Sequence, residues 1–204
     1  MQSDTPKQFI ELNGKPILMH TIERFTNAMP SVNIIIALAE VLQNDWKQLC
    51  NDHKFTITHT VCKGGATRFH SVKNGLELVP ENCVVGVHDA ARPLVSTETI
   101  LNTFETAQQK GNAAPYVPIS DSIRNVNGDS NAAVNRDDIV IVQTPQCFQS
   151  NLIKKAFEQD YQDGFTDDVS VLEATGTSIN LVSGNTENIK ITTARDLKIA
   201  QSML

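Results

Sequence analysis

Stretches with helical spacing alternate with short apolar runs along almost the whole chain, and this rhythm limits the fold more than any other feature. After Gly14-Lys15-Pro16, apolar residues at 17, 18, 22 and 25 predict a helix over 17–25, with Pro16 suited to its first turn. The isoleucine-rich run 32–38 reads as a buried strand, 41–50 as a helix, 55–61 as an alternating strand and 67–79 as a helix. A short strand at 83–87 leads into His88-Asp89-Ala90-Ala91-Arg92-Pro93, and a helix over 96–110 follows with Ser96 as N-cap. Strands at 113–119 and 139–142, helices at 152–159 and 167–175, strands at 178–182 and 188–191 and a helix at 194–204 complete the pattern. Strands separated by helices in this order predict a doubly wound α/β domain, Rossmann-like, with a mainly parallel sheet. At 204 residues a single domain spanning 1–204 is expected.

The rhythm breaks over about 120–136, where Asn125, Asn127, Gly128, Asp129, Ser130 and Asn131 predict a turn between two short strands. A polar insertion of this kind in a compact domain is expected to be functional or to meet another chain.

Charge and cysteine usage narrow the partners. With 17 basic and 23 acidic residues the formal net charge is −6, which argues against a nucleic-acid partner but not against a small polyanion held by a few converging cations. Cys50, Cys62, Cys83 and Cys147 form no C-x-x-C pair, so free thiols in a reducing compartment are expected. The chain has no apolar run near the roughly 20 residues of a membrane span. Its opening Met1–Lys7 has no signal-peptide core, so the expected location is the cytoplasm.

In open α/β sheets ligands bind beyond the carboxyl ends of strands, where two clusters fall. Thr60 to Arg68 runs from a strand through Gly64-Gly65 into a helix, a geometry that lets backbone N–H groups approach an anion, with Ser71 one turn on. A plain tight turn accounts for the glycines equally. Asp89 and Arg92, spaced by two alanines, suit a ligand site in which Asp89 takes a metal ion or hydroxyl and Arg92 a phosphate; a structural ion pair is the alternative. His88 alone reads as a packed, hydrogen-bonded histidine. Lys190 interrupts a short apolar strand, and Lys7 lies in a loop before the first helix.

These segments, with Pro6-Lys7-Gln8-Phe9, Gly14-Lys15-Pro16-Ile17-Leu18, Ser71-Val72-Lys73-Asn74-Gly75-Leu76, Gln143-Thr144-Pro145-Gln146, Thr166-Asp167-Asp168 and Asn188 to Thr193, occur in an order that resembles the 2-C-methyl-D-erythritol 4-phosphate cytidylyltransferase family of the non-mevalonate isoprenoid pathway. The resemblance implies an enzyme that transfers CMP from CTP to that polyol phosphate, releasing pyrophosphate, with Mg²⁺ or another divalent cation. It implies that Lys7 and Lys190 are catalytic and that Gly64, Gly65, Ser71, Asp89 and Ala90 line the CTP site. It further implies that Asp89, Arg92, Thr166 and Lys190 gather the sugar phosphate. Ser122 and Arg136 match positions that reach a neighbouring subunit's site from a protruding β-arm, so a homodimer joined through about 120–136 is expected. Asp89 is the one candidate metal ligand.

Two other readings fit the same residues: a cytidylyltransferase for another polyol phosphate such as ribitol 5-phosphate, and a non-catalytic nucleotide-binding protein. Ala91 fits the methylerythritol branch better, since the ribitol enzymes tend to have Val there. Family members also begin with a strand and a glycine-rich loop ending in Arg-Met, and Met1 stands at that Met. The resemblance therefore implies that a strand, loop and arginine of roughly 15–25 residues lie outside a shortened chain, leaving two strand edges unpaired and CTP binding weak.

Overall fold

The computed structural model describes residues 5–204, so the position assigned to Met1 lies outside the described residues. A minor hairpin of β1 (Glu11–Leu12) and β2 (Lys15–Pro16) leads into α1 (Ile17–Ala28), whose buried Ile17, Leu18, Ile22 and Phe25 realise the expected helical stripe. β3 (Ile35–Leu38), α2 (Gln43–Asp52), β4 (Thr60–Lys63), α3 (Arg68–Leu76) and β5 (Val84–Val87) follow. Next come α4 (Thr97–Lys110), β6 (Asn112–Pro118), the hairpin β7 (Ile123–Asn127) and β8 (Ser130–Val134), β9 (Val140–Val142) and β10 (Gln146–Gln149). The chain closes with α5 (Ser150–Ala156), α6 (Asp168–Glu173), β11 (Leu181–Ser183) and α7 (Ala194–Met203).

The fold is mixed α/β, and its sheets correct the expectation of a mainly parallel arrangement. β3 and β4 pair in parallel, as do β6 and β11. β10 runs antiparallel to both β5 and β6, and β9 is antiparallel to β6, giving the order β11-β6-β10-β5. The sequence hides β10 because Pro145 stands just before it and only Cys147 and Phe148 between its two glutamines are apolar. Two further expectations shift. The ladder on β3 begins at Thr60 rather than near 55, because Phe55 and Ile57 pack into the cluster around Trp46 of α2. The segment 188–191 forms no strand: the buried Asn188 side chain donates to Thr144 O at 2.8 Å, and Ile191 N–H donates to Ala91 O at 2.9 Å.

Packing sets the two ends of the later site. α3, α5 and α6 share a core in which Phe69 stacks on Phe157 (4.7 Å between centroids) and on Phe165, over Phe148 of β10. α1 packs against α4 through Phe25 and Ile100, and against β3 and α2 through Leu18, Ile22 and Trp46. Burying one side chain of this size contributes roughly 1.5–3 kcal/mol, so these clusters carry the stability of the layers. Among the described residues β3 pairs only with β4, and β5 only with β10. A cavity of about 690 Å³, lined mainly by apolar side chains, lies between β3 and β5 with α1 and α3 beside it. Each of these two strands therefore keeps one edge unpaired among the described residues. Among the described residues no helix is long and apolar enough to cross a membrane.

Candidate active site

At the carboxyl end of β5 three of the described ion pairs cluster around one carboxylate. Asp89 is mostly buried, and three cations converge on it. Arg92 Nε and Lys190 Nζ each lie 3.1 Å from Oδ2, and Arg68 Nε lies 3.8 Å from Oδ1. Burial alone would raise the Asp89 carboxyl, but Lys190, Arg68 and Arg92 outweigh it and hold the group below its ordinary value.

The surrounding backbone is fixed by a chain of hydrogen bonds. Asp89 N–H donates to Thr144 Oγ1 at 3.1 Å, and that hydroxyl also meets His88 Nδ1 at 3.0 Å. His88 Nε2 lies 3.0 Å from Arg92 O, so the proton sits on Nε2, where a carbonyl accepts it, and Nδ1 accepts from Thr144. Burial lowers His88 from 6.5 to about 4, which keeps it neutral and structural at pH 7. The Gln143–Pro145 segment that separates β9 from β10, with a cis Thr144–Pro145 peptide, is thus what brings Thr144 to the end of β5.

Arg92 is held twice, since Nη1 also donates to Asn188 O at 2.7 Å. Lys190 has Asp89 as its single described partner, and its side chain is 47% exposed against 13% for Arg92. The lysine expected within a strand therefore projects from a loop. Asn188, fully buried beside it, leaves its Oδ1 without a hydrogen-bond partner among the described residues.

Gly64 and Gly65 join β4 to α3, and here protein packs on protein. Gly64 N–H donates to Leu38 O at 2.7 Å, and Gly65 N–H to Ser71 Oγ at 2.9 Å. A Cβ on Gly65 would stand 2.3 Å from His70 Cβ, inside any tolerable contact, so the turn closes only with glycine there. In this arrangement the Gly65 amide is already paired, unlike the free anion-facing donor that the spacing alone suggests. Ser71 and Ala90 line the β3–β5 cavity with Asp89 and Arg68, and Ala90 O accepts from Thr21 Oγ1 at 2.8 Å.

Two residues absent from the expected site complete it. Arg68, first in α3, donates a fork to Asp168, first in α6, at 2.7 and 2.6 Å. Burial pushes the Asp168 carboxyl above its ordinary value, while the Arg68 fork opposes that shift. The sequence signal was the acidic doublet Asp167-Asp168 ahead of an apolar run: Asp167 is the N-cap, and its neighbour is left facing inward.

Other expected site residues stand apart from this cluster. Lys7 is exposed and makes no ion pair among the described residues, although Gln8 beside it lines the same cavity and Phe9 packs on Trp46. Thr166 is exposed immediately before the Asp167 cap. Ser122 and Arg136 flank the exposed β7–β8 hairpin, where Arg136 Nη1 donates to Ser120 O at 2.6 Å, and neither touches the charge cluster. Among the described residues no group of three or more His, Cys, Asp or Glu side chains could hold a metal ion, and three cations around Asp89 oppose one there.

The family model described as "IspD: 2-C-methyl-D-erythritol 4-phosphate cytidylyltransferase" matches residues 1–204. A protein of that description from Bacteroides thetaiotaomicron is 47% identical over 204 residues, covering all of this chain and 93% of its own length. The crystal structure of the Francisella tularensis protein of the same description superposes with a TM-score of 0.84 at 32% identity, covering 98% of this chain and 94% of that one. The Thermus thermophilus structure gives 0.82 at 29% identity, with 97% and 93% covered.

Proposed function

The chain belongs to the 2-C-methyl-D-erythritol 4-phosphate cytidylyltransferase family, and on that premise we propose that it transfers CMP from CTP to 2-C-methyl-D-erythritol 4-phosphate and releases pyrophosphate. The observation that carries this reading is the convergence of Arg92, Lys190 and Arg68 on one buried carboxylate at the end of β5. Both substrates are polyanions, and the reaction needs cations aimed at one point more than it needs a general base. The substrate's phosphate-monoester oxygen, already ionised near neutral pH, attacks the α-phosphorus of CTP in line. A new P–O bond forms, the α–β anhydride bond breaks, and its electron pair leaves with pyrophosphate. Catalysis is then positioning plus neutralisation.

In this reading Asp89 holds Lys190 and Arg92 ready until a phosphate takes them over. Lys190, half exposed and tethered once, moves to the incoming phosphate, while Arg92 remains anchored on Asn188 O and offers its fork in place. Lys7 neutralises the CTP phosphates from the mouth of the cleft. Gly64, Gly65, Ser71, Asp89 and Ala90 form the nucleotide wall, and Thr166 hydrogen-bonds the sugar phosphate. Mg²⁺, if bound, would come with CTP on its triphosphate and add to the neutralisation of charge there. The protein cluster, whose central carboxylate is already ringed by three cations, does not fit a metal held by the chain itself.

The β7–β8 hairpin, with Val126 70% exposed at its edge, clasps a second copy of the chain and brings Ser122 and Arg136 to the neighbouring site. Four unpaired cysteines suit a reducing cytoplasm. The test is pyrophosphate release from CTP and Mg²⁺ with the methylerythritol phosphate and, in parallel, with ribitol 5-phosphate. Turnover confined to the first supports the proposal. Preference for ribitol 5-phosphate, or binding of CTP without release of pyrophosphate, would refute it.

A further inference from the structure

The three cations around Asp89 differ in how they are tethered, and the difference assigns a task to a residue outside the substrate contacts. Among the described residues Lys190 is held by Asp89 alone, Arg92 by Asp89 and one carbonyl, and Arg68 by both oxygens of Asp168 besides its longer contact to Asp89. Asp168 cannot swing. Its side chain is 1% exposed, and its own N–H and that of Val169 both donate to Gln146 Oε1, at 2.9 and 3.0 Å. Asp167, the other nearby acid, turns away to Gln146 Nε2 and the Ser170 amide. The guanidinium of Arg68 is thereby pinned with its Nε edge toward Asp89.

We infer that Asp168 is a positioning residue for the transfer: it fixes Arg68 as a permanent countercharge to Asp89, so that Lys190 can leave for the substrate phosphate without stranding a buried carboxylate. The physical need is plain. Removing one partner from a mostly buried ion pair leaves an uncompensated charge, which the low-dielectric interior penalises heavily. A cation already committed to Asp168 cannot follow the phosphate, whereas one held by Asp89 alone can. The inference rests on the cytidylyl-transfer reading of this site, and the wild-type assay tests that reading separately: a wild-type chain inactive with both polyol phosphates sinks the reading, whatever the variants do.

The experiment compares Asp168→Asn, Arg68→Gln and the double variant D168N/R68Q in the full chain. In Asp168→Asn alone Arg68 loses its charged fork and keeps Asp89, 3.8 Å away, as its one carboxylate among the described residues, so both the melting temperature and kcat/KM for the sugar phosphate should fall, the latter at least ~10-fold. The double variant removes both charges and leaves two amides able to bond each other. Its melting temperature should recover most of the loss, while kcat/KM stays at least ~10-fold down. With Arg68 gone, Asp89 keeps Arg92 and Lys190 as its cations among the described residues, beside neutral His88 and the turned-away Asp167. The acid limb of its pH profile therefore moves to higher pH. Recovery of turnover together with stability would show that the pair is a structural staple only and overturn the inference. Should the double variant fail to fold, Arg68→Lys decides: it keeps the charge and loses the fork, so KM for the sugar phosphate should rise several-fold with that for CTP unchanged. Wild-type kinetics in Arg68→Lys would equally overturn it.

Discussion

Replacing Lys190 with Ala separates a catalytic lysine from a structural one, because its two roles carry different magnitudes here. As a structural group Lys190 contributes one ion pair, 3.1 Å to Asp89, from a side chain 47% exposed. Pairs with that much solvent access contribute about 0.2–1 kcal/mol. The variant also leaves Asp89 compensated by Arg92 and Arg68, so no buried charge is stranded. In a chain of this size about 1 kcal/mol moves the melting temperature by roughly 2–4 °C, which caps the expected shift. As a catalytic group it supplies a cation at the point where negative charge gathers, and loss of one such donor costs about 100-fold or more in kcat, about 2.7 kcal/mol of barrier. Thermal melts and steady-state pyrophosphate release on the same preparation measure both quantities. A kcat within a few-fold of wild type would remove Lys190 from the chemistry. A melting temperature lowered by ten degrees would show that the ion pair had been undervalued.

Three further outcomes follow from the geometry. Arg136→Ala should raise KM for the sugar phosphate more than KM for CTP; full activity in a chain that sediments as a monomer at micromolar concentration would contradict the shared site. Gly65→Ala should lower stability by about 1–3 kcal/mol, since its Cβ would collide with His70, and an unchanged thermal midpoint would contradict the packing. His88 is lowered from 6.5 to about 4, so the unfolded chain binds a proton that the fold refuses. Its contribution is complete above the unfolded value and is lost as pH falls from about 6.5 towards 4, by at most roughly 3.4 kcal/mol. Denaturant titrations of wild type and His88→Gln over that interval should show a shallower pH dependence in the variant, and parallel curves would refute the assignment.

The alternation of helix and strand was legible because periodicity reports which face is buried, and α1, α3, α4 and α7 lie close to where the spacing puts them. What escaped was decided by tertiary partners. Phe55 and Ile57 alternate like a strand but are drawn to Trp46, and the ladder starts only at Thr60. β10 carries glutamines where a strand pattern expects apolar residues, and Gln146 is buried because its amide serves α6 and Asp167. The Asp89–Arg92 pair was readable from local spacing. The Arg68–Asp168 pair spans 100 residues and two helices, and no local spacing announces a partner at that distance. Thr144 likewise gains its role only when the break between β9 and β10 lands against β5.

The open seam between β3 and β5 has a consequence for solvent access to the backbone. Successive residues of a strand direct their amides to opposite sides, so on β3 every second N–H faces β4 and the others face the cavity, and β5 divides in the same way towards β10. Hydrogen exchange should therefore be two-valued along each strand, slow and fast at alternate positions, while in β6, paired on both sides, the buried Ala114 amide that donates to Asn180 O is slow. A segment that pairs with both edges would erase the alternation in β3 and β5 together, which makes their exchange pattern a residue-level gauge of whether the seam is open or filled.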